Sequence, residues 1–292
     1  MVEQPISSPH GTRRRVHALD IEARNLSQVA NGIEDLYSDI LDVIVVRGAF
    51  DAAALTDAGQ RLDSGERDAE WSHPNEKMPL EDLQLLGTDT PATPTYREPR
   101  GASLDAYLSG AITHASATAG IFNPGFDAVA EINSLLSRLS GGRPVEVAQA
   151  SDGRSYVPFT IRRLTDGKQI GIHHDHHYGL ALYQELAQKV DTRTLISYVA
   201  TLRAPQAGGE LFVYGATSDA TDVPKLANGF SYDLSAIEQR YDCQRFVMNA
   251  GDLFLLASGR CLHRVGRISG FRARITMGGF LALGKAGEQV FY

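Results

Sequence analysis

The sequence predicts a mainly β fold with flanking helices: a double-stranded β-helix (jelly-roll) core with N-terminal helices packed outside it. Two observations predict this. Beyond Gly142 the chain breaks into short β-type runs separated by turn residues, the signature of a sandwich or barrel. Before that point, apolar residues recur at helical spacing in several segments, which suits a scaffold laid against a sheet. The length of 292 residues, 43% hydrophobic and 22% charged, accommodates this as one domain. We expect a disordered lead-in over 1–15 and a single domain over 16–292, with helical scaffold to about 141 and jelly roll from about 142.

In chain order, the polar lead-in carries Pro5, Pro9 and Gly11. Residues 26–40 read as an amphipathic helix. The β-branched run Val43-Ile44-Val45-Val46, bounded by Asp42 and Gly48, reads as a buried strand, and a second helix is expected over 51–62. Residues 65–100 lose periodicity, with Pro74, Pro79, Pro91, Pro94 and Pro99 among polar residues. Such a long stretch in a compact domain suits a lid or binding loop. Helices follow over 104–118 and 126–139, stopped by Gly141-Gly142. Strands are then expected over 144–147, 156–164, 170–175, 195–202, 210–214, 253–256, 262–268 and 274–282, with one helix over 180–190.

Charge and composition exclude several classes. With 28 basic and 35 acidic residues the net charge is −7, which offers no general attraction for phosphate backbones, so no nucleic-acid partner is expected. No stretch approaches the roughly 20 apolar residues of a membrane span, and no apolar segment follows Arg13-Arg14-Arg15, so neither membrane insertion nor secretion is expected. A cytoplasmic enzyme is the default, with assembly as a homodimer left open. Cys243 and Cys261 form no CxxC and read as reduced, packed thiols.

The chemistry concentrates in Gly171-Ile172-His173-His174-Asp175-His176-His177. In a strand, His173 and Asp175 share a face and His174 takes the other. An imidazole and a carboxylate side by side offer two ligands to one divalent metal, and His263 in another expected strand is the strongest third. Two histidines and a carboxylate on one face of an octahedron leave three positions open, the arrangement that suits Fe(II) with a cosubstrate and O2. The competing register His174/His176 resembles the HxH of cupins. It lacks a well-placed glutamate, Glu185 being the nearest downstream. His176 and His177 are expected at the mouth of the site. Beyond His263, Arg274 and Thr276 share a strand face. A guanidinium fork and a neighbouring hydroxyl suit the distal carboxylate of 2-oxoglutarate. Arg272 has the same parity and is the second choice.

These residues resemble the iron/2-oxoglutarate dioxygenases, in particular the branch holding the freestanding aliphatic halogenases of the welwitindolinone type and the N-succinyl amino-acid hydroxylases. The resemblance runs from Leu139-Ser140-Gly141 and Pro144-Val145-Glu146 through Thr160-Ile161-Arg162, the HxD, Ala207-Gly208-Gly209-Glu210-Leu211, Val213-Tyr214 and Gly251-Asp252. It ends with His263-Arg264-Val265, Gly278-Gly279-Phe280-Leu281-Ala282 and Val290-Phe291-Tyr292. It implies Fe(II) held by His173, Asp175 and His263, 2-oxoglutarate gripped by Arg274 and Thr276, O2 as oxidant, and hydroxylation of a small molecule. Halogenases of this branch carry glycine or alanine where this chain has Asp175, so the resemblance implies hydroxylation, with desaturation open.

The substrate is less legible. Tyr96, Arg97 and Arg100 in the expected lid, with Trp71, His73 and His176, offer stacking and carboxylate-binding groups. They suit an N-acyl amino acid or another anionic molecule. The helix after the metal motif would form a second wall. An alkaloid or nucleoside-type natural product is the alternative substrate. A cupin-like metal protein without O2 chemistry is the alternative class, which would have no use for Arg274.

Overall fold

Val43, Ile44, Val45 and Val46 form the centre of a strand buried on both faces, as their unbroken β-branched character dictates. The computed structural model describes residues 14–67, 71–72, 84–86, 104–118, 120–175, 183–227, 231–285, 287 and 289–291. Its N-terminal half contains β1 (Ala18–Glu22), a 3-10 turn (Ala23–Val29), α1 (Gly32–Tyr37), β2 (Val43–Arg47), α2 (Ala52–Asp63), β3 (Trp71–Ser72), β4 (Gln84–Leu86), α3 (Leu104–Thr118) and α4 (Ala128–Leu139). The C-terminal half continues with β5 (Val145–Val147), β6 (Thr160–Leu164), β7 (Ile170–His173), α5 (Gln184–Lys189), β8 (Ile196–Arg203) and β9 (Leu211–Thr217). It closes with α6 (Leu234–Arg240), β10 (Cys243–Phe246), β11 (Leu253–Leu256), β12 (Cys261–Val265), β13 (Arg274–Leu283) and β14 (Gln289–Phe291).

Among the described residues the strands form two sheets. The larger runs β1-β2-β11-β8-β13-β6-β4-β3, with β14 and β5 attached through β13, and the smaller runs β10-β9-β12-β7. Alternation sorts the larger sheet's side chains. Ile44, Val46, Ile161, Ala200, Leu202, Leu253, Leu255, Ile275 and Met277 pack against α1, α2 and α4. Val43, Val45, Leu164, Phe254 and Leu256 turn the other way and share a core with Leu211, Val213, Cys261 and Val265 of the smaller sheet. Each buried aliphatic side chain contributes roughly 1.5–3 kcal/mol, so this pattern fixes which face of each strand looks between the sheets.

Local chemistry sets the helix starts. Asp51 accepts hydrogen bonds from the Ala53 and Ala54 amides, and Asp127 from Val129 and Ala130, satisfying donors that a first turn leaves bare. The helix expected over 26–40 is instead the 3-10 turn followed by α1. Asn31-Gly32 interrupts the periodicity, and Asp39, at φ 62°, ends it. The Pro-rich region is not wholly irregular: β3 pairs with β4, and β4 extends the larger sheet through β6. Strands β1, β10 and β14 and helix α6 were not expected; β1 alternates half-buried and exposed residues, so its pattern is faint.

Two residues of the expected lead-in belong to the described chain. Arg14 anchors it by pairing with the fully buried Asp42 at 2.7 Å. Asp42 also accepts from the His17 amide, Arg260 and the Cys261 thiol. Burial alone would raise this carboxyl, but the bonds from Arg14, His17 and Arg260 outweigh it and hold the group below the usual carboxylate range. Neither cysteine is in a disulfide; Cys261 is packed as expected, whereas Cys243 is exposed on β10. No helix among the described residues is long and apolar enough to cross a membrane.

Candidate metal and carboxylate site

His263 lies on β12 between β9 and β7, and its direct partner across β7 is His173. The alternation that buries Cys261 and Val265 between the sheets carries His263 to the same side. Strand β7 ends at His173, so the expected strand over 170–175 stops short. Asp175 shares the face of His173 because its amide donates to the Ser258 carbonyl (2.9 Å), which holds the segment beyond the strand. His174 turns to the opposite side, where its Nδ1 lies 2.9 Å from the Tyr232 hydroxyl.

The three side chains converge. The Asp175 carboxylate places Oδ1 3.8 Å from His173 Nε2 and Oδ2 3.8 Å from His263 Nε2. Donor atoms that far apart can both reach a common point about 2.2 Å from each, the length of an ordinary metal–ligand bond. All three donor atoms lie within 4.8 Å of one another. The tautomers agree with this use. His173 Nδ1 is 2.8 Å from the Gly171 carbonyl and His263 Nδ1 is 3.0 Å from the Cys261 carbonyl. A carbonyl only accepts, so each Nδ1 carries the proton and each Nε2 presents a lone pair. Burial, and then the neighbouring His173 ring, lowers the His263 imidazole to about 4, which keeps it neutral at ordinary pH. This donor set fits a divalent first-row metal with open positions.

A second cluster faces the same interior from the larger sheet. Arg274 and Thr276 of β13 are buried, at 5% and 1% exposure. Thr276 sits between Thr201 of β8 and Arg162 of β6 in direct cross-strand register. The hydroxyls of Thr276 and Thr201 have no hydrogen-bond partner, and no carboxylate among the described residues pairs with Arg274. Burial, with the repulsion of Arg162 added, lowers the Arg274 guanidinium to about 10. A buried cation beside orphaned hydroxyls is costly unless an anion completes it. These residues therefore fit one carboxylate of 2-oxoglutarate. Arg272, the second choice, is exposed and donates to the Pro205 carbonyl, so it plays no part.

Sequence reasoning overlooked Arg162 and Thr201. In β6, Arg162 and Arg163 are adjacent and must take opposite faces. Arg163 stacks on Trp71 and bonds Gln84, whereas Arg162 faces the interior. That alternation was the available signal. Asp252, in one of the blocks shared with the family, serves the fold: it accepts from the Gly48 and Asn249 amides and pairs with Arg47. His73, Tyr96, Arg97, Arg100, His176 and His177 lie outside the described residues, as does most of the expected lid.

The chain is similar to several solved structures. A novel N-substituted L-amino acid dioxygenase from Burkholderia ambifaria AMMD, in complex with alpha-KG, is 15% identical, covering 90% of this chain and 91% of that one with a TM-score of 0.48. A Pseudomonas putida prolyl-4-hydroxylase is 13% identical over 88% of this chain and 97% of its own, with a TM-score of 0.43. The epimerase SnoN, in complex with Fe3+, alpha ketoglutarate and nogalamycin RO, is 13% identical over 88% and 83%, with a TM-score of 0.48. No curated protein matches the chain. A family model described as "Carrier-protein-independent halogenase WelO5" matches residues 16–292. With that match across nearly its whole length, the chain belongs to this family and is an enzyme of the 2-oxoglutarate-dependent oxygenase and halogenase class, using Fe(II), 2-oxoglutarate and O2.

Proposed function

We propose that this enzyme hydroxylates an unactivated C–H bond of a small molecule, although its family is described by a halogenation activity. One observation carries the reading: Asp175 presents a carboxylate oxygen to each of the two imidazoles that flank it. His173, Asp175 and His263 would hold the metal, and Asp175 would supply a carboxylate where a halide would otherwise have to bind. Iron held there would supply, with 2-oxoglutarate and O2, the oxidising power of the reaction, succinate and CO2 being the products of the cosubstrate. The protein contributes orientation and dryness. Arg274, with Thr276, receives the distal carboxylate, and the backbone carbonyls of Gly171 and Cys261 hold both imidazoles in their ligating tautomer.

Further readings belong to the same proposal. We read the two facing sheets as a jelly roll, supported by the core they share. A cupin-like role without O2 chemistry is disfavoured by the buried Arg274, which no carboxylate among the described residues pairs, beside the unpartnered Thr276 hydroxyl; such a role leaves both unexplained. The substrate we favour is an N-acyl amino acid, supported by the sequence resemblance to N-succinyl amino-acid hydroxylases and by Tyr96, Arg97 and Arg100 in the chain.

The experiment is succinate release from 2-oxoglutarate under air with Fe(II). It is screened across N-acyl amino acids, free amino acids and nucleotides, with chloride present and product masses read. Stimulation by one class, with one oxygen atom gained, supports the proposal. A chlorinated main product would reject hydroxylation.

A further inference from the structure

We propose that the turn joining β11 to β12, through Ser258 and Gly259, is a positioning element for the metal site: it sets where Asp175 presents its carboxylate, with the start of β8 as its support. The inference rests on the functional reading above, which takes Asp175 as a ligand, and it gives a role to two residues that reading does not use.

The need for such an element follows from where β7 ends. His173 and His263 are held by strand pairing, but Asp175 lies two residues past the end of β7 and outside every strand. Its amide donates instead to the Ser258 carbonyl at 2.9 Å. The carboxylate has little slack, because Oδ1 and Oδ2 each lie 3.8 Å from the Nε2 of a different imidazole. A metal site tolerates errors of only about 0.2 Å in its ligand distances. What fixes Ser258 therefore fixes the third ligand.

Ser258 is fixed by Leu195, the residue before β8. The Leu195 carbonyl accepts from the Gly259 amide at 2.9 Å and from Ser258 Oγ at 3.3 Å, so both of its lone pairs serve this one turn. Ser258 is fully buried. Backbone conformation does not demand glycine at 259, whose φ lies outside the left-handed region. Close approach does: a Cβ there would lie 2.7 Å from the Leu195 amide nitrogen and 3.1 Å from its Cβ. A side chain at 259 would lift the turn off β8, and the Ser258 carbonyl would move with it.

The same turn runs on into β12, where the Cys261 carbonyl receives the His263 Nδ1 proton. One turn thus touches two of the three ligand residues. Strand β8 also carries Thr201, the register partner of Thr276. The metal ligands and the carboxylate-binding pair are therefore both referred to a single strand.

The test uses the full chain loaded with Co(II) in place of iron, with affinity read by calorimetry and ligation by the visible ligand-field absorption. Asp175→Gly gives the reference spectrum for a lost carboxylate. Gly259→Ala is expected to weaken Co(II) binding by about 10- to 100-fold, the range for disturbing a group that orients a ligand, and to shift the absorption toward that reference. Ser258→Ala removes one of the two bonds to Leu195 and keeps the carbonyl, so it is expected to shift both readings the same way by less. Leu62→Ala is the control for stability alone. It is a core residue at the far end of β8, where Asp63 pairs with Arg203 at 2.8 Å, and it is expected to lower the Tm with affinity and spectrum unchanged.

If Gly259→Ala and Ser258→Ala lose stability as Leu62→Ala does, with affinity and spectrum unmoved, the assignment is overturned and the turn is a structural connection only. Should Gly259→Ala fail to fold, Ser258→Ala decides the matter alone. Failure of the unaltered protein to bind Co(II), or an Asp175→Gly spectrum identical to its own, would instead reject the functional reading beneath.

Discussion

His173 and His263 are direct register partners across β7 and β12, their ring centroids 4.3 Å apart, and the Asp175 carboxylate lies 3.8 Å from the Nε2 of each. Two neighbouring strands and the segment just beyond one of them thus build the whole donor set. The geometry depends on the smaller sheet keeping its register.

Asp175→Gly tests the carboxylate. Hydroxylation is expected to fall at least about 100-fold, a large share of what a positioned ligand contributes. Saturating chloride is expected to give a trace of halogenated product. Product mass spectra, with and without chloride, check both; full hydroxylase activity would remove Asp175 from the ligand set.

Arg274→Ala is expected to raise the KM for 2-oxoglutarate by about 100-fold or more, through the loss of a charge-assisted pair. Thr276→Val should cost less, about 10-fold, because one neutral hydrogen bond is removed. Succinate formation against 2-oxoglutarate concentration reads both values.

Gly208 occupies φ +74°, and a Cβ there would lie 1.9 Å from the Arg267 carbonyl oxygen. Neither strain can be relieved without moving backbone, so Gly208→Ala is expected to destabilise the protein by about 2 kcal/mol or more. Gly209 lies within 3.1 Å of the Arg274 side chain by the same measure. Gly209→Ala should therefore also weaken 2-oxoglutarate binding, which calorimetry and denaturant titration together separate from stability.

Burial alone lowers the His114 imidazole on α3 to about 4, and its Nε2 has no partner among the described residues. The unfolded chain takes up a proton near pH 6.5 while the native state does not, so stability is full above 6.5 and declines as pH falls toward 4. The loss over that window is on the order of 2–3 kcal/mol. Denaturant unfolding at neutral pH and near 4.5 should show a smaller decline in His114→Leu.

Asp42 holds Arg14, Arg260, the His17 amide and the Cys261 thiol in one buried cluster. Asp42→Ala strands those charges and is expected to cost about 3–5 kcal/mol. A Tm measurement would show it. Because Cys261 also receives the His263 Nδ1 proton on its carbonyl, metal affinity should fall with it.

Much of the site is legible in the sequence. His173, His263 and the Arg274/Thr276 pair stand on strands whose alternation is visible in the sequence, and helix α3 matches the range its apolar spacing predicts. Arg162 was missed because Thr160-Ile161-Arg162-Arg163 reads equally well with either arginine inward; only pairing with β13 and β4 decides between them. Asp175 was assigned to a strand, yet the strand ends two residues earlier and a bond to Ser258, 83 positions later in sequence, sets its direction.

The residue types the chemistry needs, and the strand or helix character of most segments that bear them, follow from the amino-acid order alone, because side-chain chemistry and hydrophobic period are local properties. Strand pairing across the folded chain is what brings His173 to face His263, sets Thr276 between Thr201 and Arg162, and leaves Arg272 outside while Arg274 is enclosed. Those are matters of register between strands distant in sequence. Register is set by how the two sheets bury their shared core, which no single segment can specify.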